Sequence, residues 1–379
     1  MNKKEDRILL PAKSILGVMG SGQLGRMFAQ KAKERGYAVK CYSPETNTPA
    51  GKAGVIEVVG DYTDSEKLKV FLQSIDALTF EFENIPEAAL HTIEEVAKEA
   101  DLRVAPSVDS IRISQNRFKE KDFFNQIGLK TTSYLYLNNL EALYSNQGKI
   151  LFPCILKTNQ FGYDGKGQGK FQNFSELEIF LKSQPKIDHI VEQIVNFSCE
   201  ISVVACRFQS GKMLFYPPSE NTHKNHILDI SIHPARVSDE IKSKAIEATK
   251  LLLTSLNYVG VLALEFFVTE KDVICNEFAP RPHNSGHFSM DAARFSQFEL
   301  QLLTLCNLES DMDHLQTKTC VMKNIIGFDF MEKEKMYTEF LMRNDYRLHL
   351  YQKDEAKIGR KMGHWNYLGN KSYDAAFPE

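Results

Sequence analysis

The chain has 379 residues, with 46 Lys and Arg against 49 Asp and Glu and a net charge of −3. That length suits two or three domains, and the near-neutral balance argues against a protein whose main task is to hold a nucleic-acid backbone. No apolar run approaches the roughly 18 residues of a membrane span. The charged start carries only a short Ile8–Leu10 apolar step, and the seven cysteines show no C-x-x-C pair. Neither a secretory signal, a disulfide framework nor a zinc site is therefore indicated, and a cytoplasmic setting is expected.

Taken in chain order, Ser14 to Met19 reads as a strand and runs straight into Gly20-Ser21-Gly22-Gln23-Leu24-Gly25. A helix over Arg26 to Gly36 and a strand over Tyr37 to Tyr42 follow. Strand Val55 to Val59, helix Ser65 to Ser74, strand Ala77 to Phe82 and a helix from Pro86 to Glu99 continue the alternation. This pattern predicts a parallel α/β sheet. Ser107 to Ile127 reads as one or two linking helices. From Ile150 the pattern changes to strands, a glycine-rich loop, a helix over Phe174 to Ser183 and strands over His189 to Val195, Glu200 to Phe208 and Lys212 to Tyr216. A long helix over Asp239 to Leu256 precedes strands Val259 to Val268 and Asp272 to Phe278, an antiparallel α+β arrangement. The stretch from about Thr319 is short, basic and expected to be β-rich.

Five stretches can carry chemistry. The first glycine turn has the G-x-G-x-x-G pattern between strand and helix, where backbone N–H groups can approach a phosphate. The acidic residue that would bind a ribose is displaced to Glu45, beyond Pro44. Dinucleotide binding, a tight turn of close strand–helix packing and a seat for a phosphosugar all stay open. The second stretch, Gly162-Tyr163-Asp164-Gly165-Lys166-Gly167-Gln168-Gly169-Lys170, is a basic loop whose N–H groups can cradle phosphate oxygens, and it is not a Walker A loop. Lys157 lies in the apolar strand before it, where an ammonium needs an anion. The third pairs Glu265 and Glu277 in consecutive apolar strands. Opposed across a hairpin with an odd turn or a bulge, and joined by Asn276, they make a hard-oxygen site suited to Mg2+. The polar cluster Arg281-Pro282-His283-Asn284-Ser285-Gly286-His287 follows at once. Lys353, Lys357, Arg360 and Lys361 form a late basic cluster, either a solvated face or a seat for a phosphate monoester.

These pieces together resemble an ATP-grasp ligase, and most of the chain is similar to the 5-(carboxyamino)imidazole ribonucleotide synthetase family. The resemblance rests on Gly22–Met27, Phe80–Pro86, Phe161–Gln168, Val191–Val195, Asn276–Arg281, His283–His287 and Gly359–His364. It implies an α/β and α+β ATP-grasp fold with a Rossmann-like domain over 1–114, a lid over 115–196, a core over 197–318 and a small C-terminal domain over 319–379. It implies ATP- and bicarbonate-dependent carboxylation of 5-aminoimidazole ribonucleotide through carboxyphosphate, in purine biosynthesis, by a homodimer using Mg2+ or Mn2+. The same core also serves ATP-grasp ligases with another acceptor.

Carried over by position, the resemblance gives ATP to Arg112, Lys157, the loop Gly162, Tyr163, Asp164, Gly165, Lys166, Gly167 and Gln168, the strand edge Glu192, Gln193, Ile194 and Val195, and Glu200, His223, Asn276 and Glu277. Glu265 and Glu277 would hold the metal. Gln23, Glu83, Asn284, Ser285, Lys353 and Arg360 would hold the ribonucleotide, with Asp164, Arg281 and Lys353 acting in the carboxyl transfer. Ile358 stands where the family has a proline before Gly359, and Lys357 is the alternative to Lys353.

Overall fold

The structure is a computed structural model and describes residues 9–160, 162, 167–309, 315–327, 335, 338–339 and 341–369. The first part alternates β1 (Ile15–Met19), α1 (Gln23–Glu34), β2 (Ala38–Ser43), β3 (Ile56–Val59), α2 (Ser65–Leu72), β4 (Ala77–Phe80), α3 (Glu87–Ala100) and β5 (Arg103–Val104). The strands pair in parallel in the order β3-β2-β1-β4-β5. Alternate residues feed opposite faces, as a pleated strand requires. Leu16 and Val18 pack with Met27 and Phe28, while Met19, Leu78 and Phe80 pack with Phe71 and Leu90.

Two helices, α4 (Val108–Ser114) and α5 (Arg117–Gln126), lead into a four-stranded antiparallel sheet. It contains β6 (Tyr134–Leu137), α6 (Leu140–Ser145), β7 (Cys154–Thr158), β8 (Gln168–Phe171), α7 (Phe174–Ser183) and β9 (His189–Gln193), with strand order β6-β9-β7-β8. α6 and α7 cover one face of this sheet through Leu143, Leu177 and Leu181.

The remainder builds one large antiparallel sheet. Its elements are β10 (Cys199–Arg207), β11 (Met213–Phe215), β12 (Ser219–Lys224), β13 (Ile227–His233), α8 (Asp239–Ser255), β14 (Gly260–Val268), β15 (Val273–Ala279), α9 (Ser289–Ala292), α10 (Gln297–Leu305), β16 (Cys320–Ile326), β17 (Tyr346–Leu350) and β18 (Lys361–Tyr367). The order is β15-β14-β10-β12-β13-β16-β18-β17, with β11 also on β10. The C-terminal strands thus extend the core sheet, because β16 pairs directly with β13.

Beyond the elements expected from the sequence, the structure contains β6, α6, β12, β13, α9 and α10. α10 escapes a periodicity search because eight of its nine residues are buried, so it has no polar stripe. It lies between the parallel sheet and the large sheet. Phe298, Leu302 and Leu305 join the core around Leu16 and Met27, and Gln301 Nε2 donates to Thr79 Oγ1 at 2.9 Å. That placement holds the carboxyl ends of β1 and β4 beside β14 and β15.

Candidate active site

The paired carboxylates come together through a backbone irregularity. In the β14–β15 ladder Leu264 faces Phe278, but Phe266 faces Cys275, so Asn276 and Glu277 together oppose the single residue Glu265. The extra residue is the bulge that the hairpin requires to bring both glutamates to one face. Both line a cavity of about 460 Å³. Glu277 Oε2 accepts from Arg117 Nη1 at 2.9 Å, and His283 Nε2 lies 3.3 Å from Glu265 Oε1. Burial and the charge of Glu277 push the Glu265 carboxyl above its ordinary range. Burial also acts on Glu277, but Arg117 and Lys157 outweigh it and hold that carboxyl below its ordinary range.

The lid sheet supplies the next layer. Lys157 lines the cavity from β7, and its Nζ donates to Glu192 Oε2 at 2.8 Å. Glu192 is buried, and burial would raise its pKa. Lys121 and Lys157 outweigh that and bring it down to about 2. Gly162 and Gln168 line the cavity at the two ends of the glycine loop. Gly167 has a φ of +74°, and a Cβ there would meet Thr158 Oγ1 at 2.5 Å, so the loop exit requires glycine. Tyr163, Asp164, Gly165 and Lys166 lie outside the described residues. Opposite, His223 Nδ1 stands 3.0 Å from Glu200 Oε2. Burial depresses the imidazole pKa, yet the carboxylate prevails and raises it. Both residues line the cavity.

The other end of the cavity is built by the parallel sheet. Here the glycine turn has an internal occupant. Glu81 Oε1 accepts from Gly22 N, and Oε2 from Gly25 N, both at 2.6 Å. α1 has no side-chain cap of its own, so this carboxylate satisfies its first N–H groups and its dipole. A Cβ on Gly20, Gly22 or Gly25 would approach Glu81 to 2.4–2.6 Å. In this structure the turn packs around a protein carboxylate, as a tight strand–helix turn can, and its Gln23 faces the cavity. Gln23, Glu83 and Arg281 line the cavity beside it. Arg281 forks onto Glu83, with Nε to Oε2 at 2.6 Å and Nη2 to Oε1 at 3.1 Å. Asn284 also lines the cavity, and both polar atoms of its buried amide lack a protein partner. Such a group points to a bound species.

Several expected residues lie away from the cavity lining in this structure. Arg112 is on the outer face of α4, where Glu94 accepts from Nη1 and Nη2 at 2.6 Å and Glu87 from Nε at 2.9 Å. Arg117, five residues on, is the arginine of the cavity. β9 is internal to its sheet, paired with β6 and β7, so Glu192 and Gln193 do not form a free edge. Ile194 and Val195 follow the end of β9, and the cavity lining reaches none of the four. Ser285 is buried behind the cavity, its Oγ 2.9 Å from His283 Nδ1. Arg360 turns away, Nη1 donating to the Glu355 carbonyl at 3.1 Å, while its neighbour Lys361 lines the cavity. Lys353 Nζ lies 5.6 Å from the ring centre of Tyr351, a cavity residue. Lys357 instead pairs with exposed Glu355 at 2.8 Å. Glu81, Arg117, Glu120, Lys121 and Tyr351 also surround the site, and no pattern along the chain marks them.

The donor set fits a divalent cation. Two carboxylates face each other, and the buried Asn276 Oδ1 beside them lacks a partner. Among the described residues no group of three or more His, Cys, Asp or Glu forms a protein-only metal cage. Two carboxylates completed by phosphate oxygens and water is the usual Mg2+ arrangement at nucleotides.

Three comparisons bear on this geometry. Family models match as an ATP-grasp domain over residues 122–298, a ribonucleotide synthetase preATP-grasp domain over 13–115 and a phosphoribosylaminoimidazole carboxylase C-terminal domain over 320–376. The chain is 37% identical to the N5-carboxyaminoimidazole ribonucleotide synthase of Brucella melitensis over 95% of this chain and 97% of that one. It is 35% identical to the synthase of Bacillus subtilis, covering 96% and 93%. Among solved structures, the Staphylococcus aureus synthetase complexed with ADP superposes with a TM-score of 0.89 at 30% identity, over 97% and 96% of the chains. The Aspergillus clavatus synthase in complex with ADP and 5-aminoimidazole ribonucleotide gives 0.85 at 26% identity, over 96% of each chain. With an ATP-grasp domain flanked by the matching preATP-grasp and C-terminal domains, and with relatives 37% and 35% identical along nearly its whole length, the chain belongs to the N5-carboxyaminoimidazole ribonucleotide synthase family.

Proposed function

We infer that this chain is an ATP-dependent ligase that carboxylates 5-aminoimidazole ribonucleotide to its N5-carboxyamino derivative in purine biosynthesis. The observation that carries the reading is the single cavity in which Glu265, Asn276 and Glu277 meet Arg117 and Lys157 at one end and Glu83, Arg281 and Asn284 at the other. In this reading bicarbonate takes the terminal phosphoryl group of ATP. The resulting carboxyphosphate delivers its carboxyl group to the exocyclic amine, releasing phosphate.

The surroundings of the described residues support these roles. Arg117 and Lys157 neutralise phosphate oxygens, and Glu265, Asn276 and Glu277 hold Mg2+, which supplies charge neutralisation at the transferring phosphoryl group. Glu200 and His223 face the ribose. For the loop from Gly162 to Gln168, Asp164 included, the family expectation is to shield a water-sensitive intermediate from solvent. Arg281, already forked on Glu83, presents its remaining guanidinium face to the carboxyl being transferred. Gln23, Glu83 and Asn284 bind the ribonucleotide, with Lys353 and Lys361 meeting its phosphate. A homodimer in the cytoplasm is the family expectation. No described helix is long and apolar enough to cross a membrane.

The test is ADP release from MgATP by the purified chain. Release that needs bicarbonate and rises severalfold with 5-aminoimidazole ribonucleotide supports the reading. ADP release indifferent to the ribonucleotide overturns the substrate and leaves the ATP-grasp core.

A further inference from the structure

The edge of the large sheet is held in an unusual way where it carries the chemistry. Among the described residues β15 is the outermost strand, and its outer side carries an isolated bridge between Thr131 and Cys275. Its polar groups are met by residues of other elements. Cys275 N donates to the Lys130 carbonyl at 2.8 Å, and Thr131 Oγ1 donates to the Cys275 carbonyl at 2.8 Å. Lys121 Nζ donates to the Asn276 carbonyl at 3.2 Å, and Phe278 N donates to Glu120 Oε1 at 2.7 Å. The residues so held are Asn276 of the bulge and Cys275 and Phe278 on either side of it. Because side chains alternate in a strand, the bulge is what keeps Glu277 on the face of Glu265.

Lys121 is the exceptional member of this set. Its side chain is 1% exposed, and a buried ammonium is costly unless it is paired and hydrogen-bonded. Besides the Asn276 carbonyl it reaches Thr131 Oγ1 at 3.1 Å and lies 3.6 Å from Glu192 Oε1. That Glu192 oxygen is buried and has no hydrogen-bond partner, while the other oxygen is bound to Lys157. One ammonium thus touches the bulge of the core sheet and the end of β9 in the lid sheet.

We propose that Lys121 is a positioning residue that fixes the β15 bulge and the Glu192–Lys157 pair in one relation, so that the two sheets meet the nucleotide as a preset frame. The proposal rests on the reading of Asn276 and Glu277 as residues of the nucleotide and its cation. Lys121 touches neither ligand and acts through the Asn276 backbone and Glu192.

The test is calorimetric binding of ADP with Mg2+ to the full chain carrying Lys121→Met, which keeps the length of the side chain and removes its charge. MgADP affinity is expected to fall at least fivefold, and the KM for MgATP to rise by a similar factor while the KM for the ribonucleotide stays within twofold. A folded variant with lowered thermal stability but MgADP affinity within twofold of wild type overturns the proposal and leaves Lys121 a structural residue. Glu277→Gln is the control for the underlying reading. If it too binds MgADP normally, the cation site itself is wrong, whereas weakened binding there with normal binding in Lys121→Met removes only the positioning role. Should Lys121→Met fail to fold, Thr131→Val removes the hydroxyl that holds both Lys121 and the Cys275 carbonyl. A threefold loss of MgADP affinity is expected there, and an unchanged affinity overturns the proposal.

Discussion

Arg117 Nη1 donates to Glu277 Oε2 at 2.9 Å across 160 positions of sequence, joining the first turn of α5 to the bulge of β15. This contact separates two arginines that a linear reading can exchange. Arg117→Met is expected to raise the KM for ATP at least tenfold, since a cavity cation beside the phosphates is lost. Arg112→Met is expected to leave that KM within twofold and to cost about 1 kcal/mol of stability, the scale of a partly exposed ion-pair network. Steady-state kinetics and denaturant melts on the pair check both. Equal effects on KM would return Arg112 to the site.

The bulge makes the two carboxylates interdependent. Glu265→Gln and Glu277→Gln are each expected to lower turnover about a hundredfold, with part of the loss recovered at higher Mg2+ because one ligand remains. A titration of turnover against Mg2+ reads this directly. A variant with unaltered Mg2+ dependence would show that its glutamate faces something other than the cation.

The loop that carries Lys353 is clasped from the parallel domain. Lys52 Nζ donates to the Gln352 carbonyl at 3.0 Å and pairs with Asp354, and Asn47 Nδ2 donates to Asp354 Oδ2 at 3.1 Å. Gln352 itself sits at a φ of +56°, a conformation that such a clasp can hold. Lys353→Met is expected to raise the KM for the ribonucleotide at least tenfold, and Lys52→Met three- to tenfold through the loop. Lys357→Met is expected to change it less than twofold. A large effect at Lys357 alone would exchange the two lysines.

Acid should destabilise this fold early. His233 is fully buried, stacked on Phe288, and its ring nitrogens lie 3.1 Å from Ser219 Oγ and 2.9 Å from Thr317 Oγ1. Burial pulls its pKa down to about 3. The unfolded chain takes up a proton near pH 6.5 that the folded chain refuses until about pH 3. The stability is therefore complete above pH 6.5 and lost as pH falls, at up to about 1.4 kcal/mol per pH unit. The buried His364 imidazole is depressed in the same direction. Urea melts at pH 7 and pH 5 should show wild type losing more stability than His233→Gln. An identical loss in the two would remove His233 from the acid response.

Much of this protein is determined along the chain itself. The alternation through Glu99 dictates the parallel sheet, because period-2 and period-3.6 burial patterns admit few other layers. Glu265 and Glu277 stand in apolar strands where only a shared task justifies two carboxylates, and their hairpin requires the bulge that β15 contains. The glycine loop, Lys157 and the Arg281–His287 cluster are legible for the same reason, since their residue types are costly where they stand. Tertiary structure alone decides the rest. Whether Arg112 or Arg117 enters the cavity depends on the break between α4 and α5 at Asn116, which rotates one arginine outward and the other inward. The occupant of the first glycine turn, Glu81, is 56 residues from Gly25, and no local pattern distinguishes a carboxylate supplied by the fold from a phosphate supplied by a ligand. α10 has no polar stripe because it is covered on both sides. Lys121 reads as one charge among Lys119 and Glu120 until folding encloses it between two sheets. Periodicity reports which side of an element faces water, and these residues are placed by contacts with elements distant in sequence.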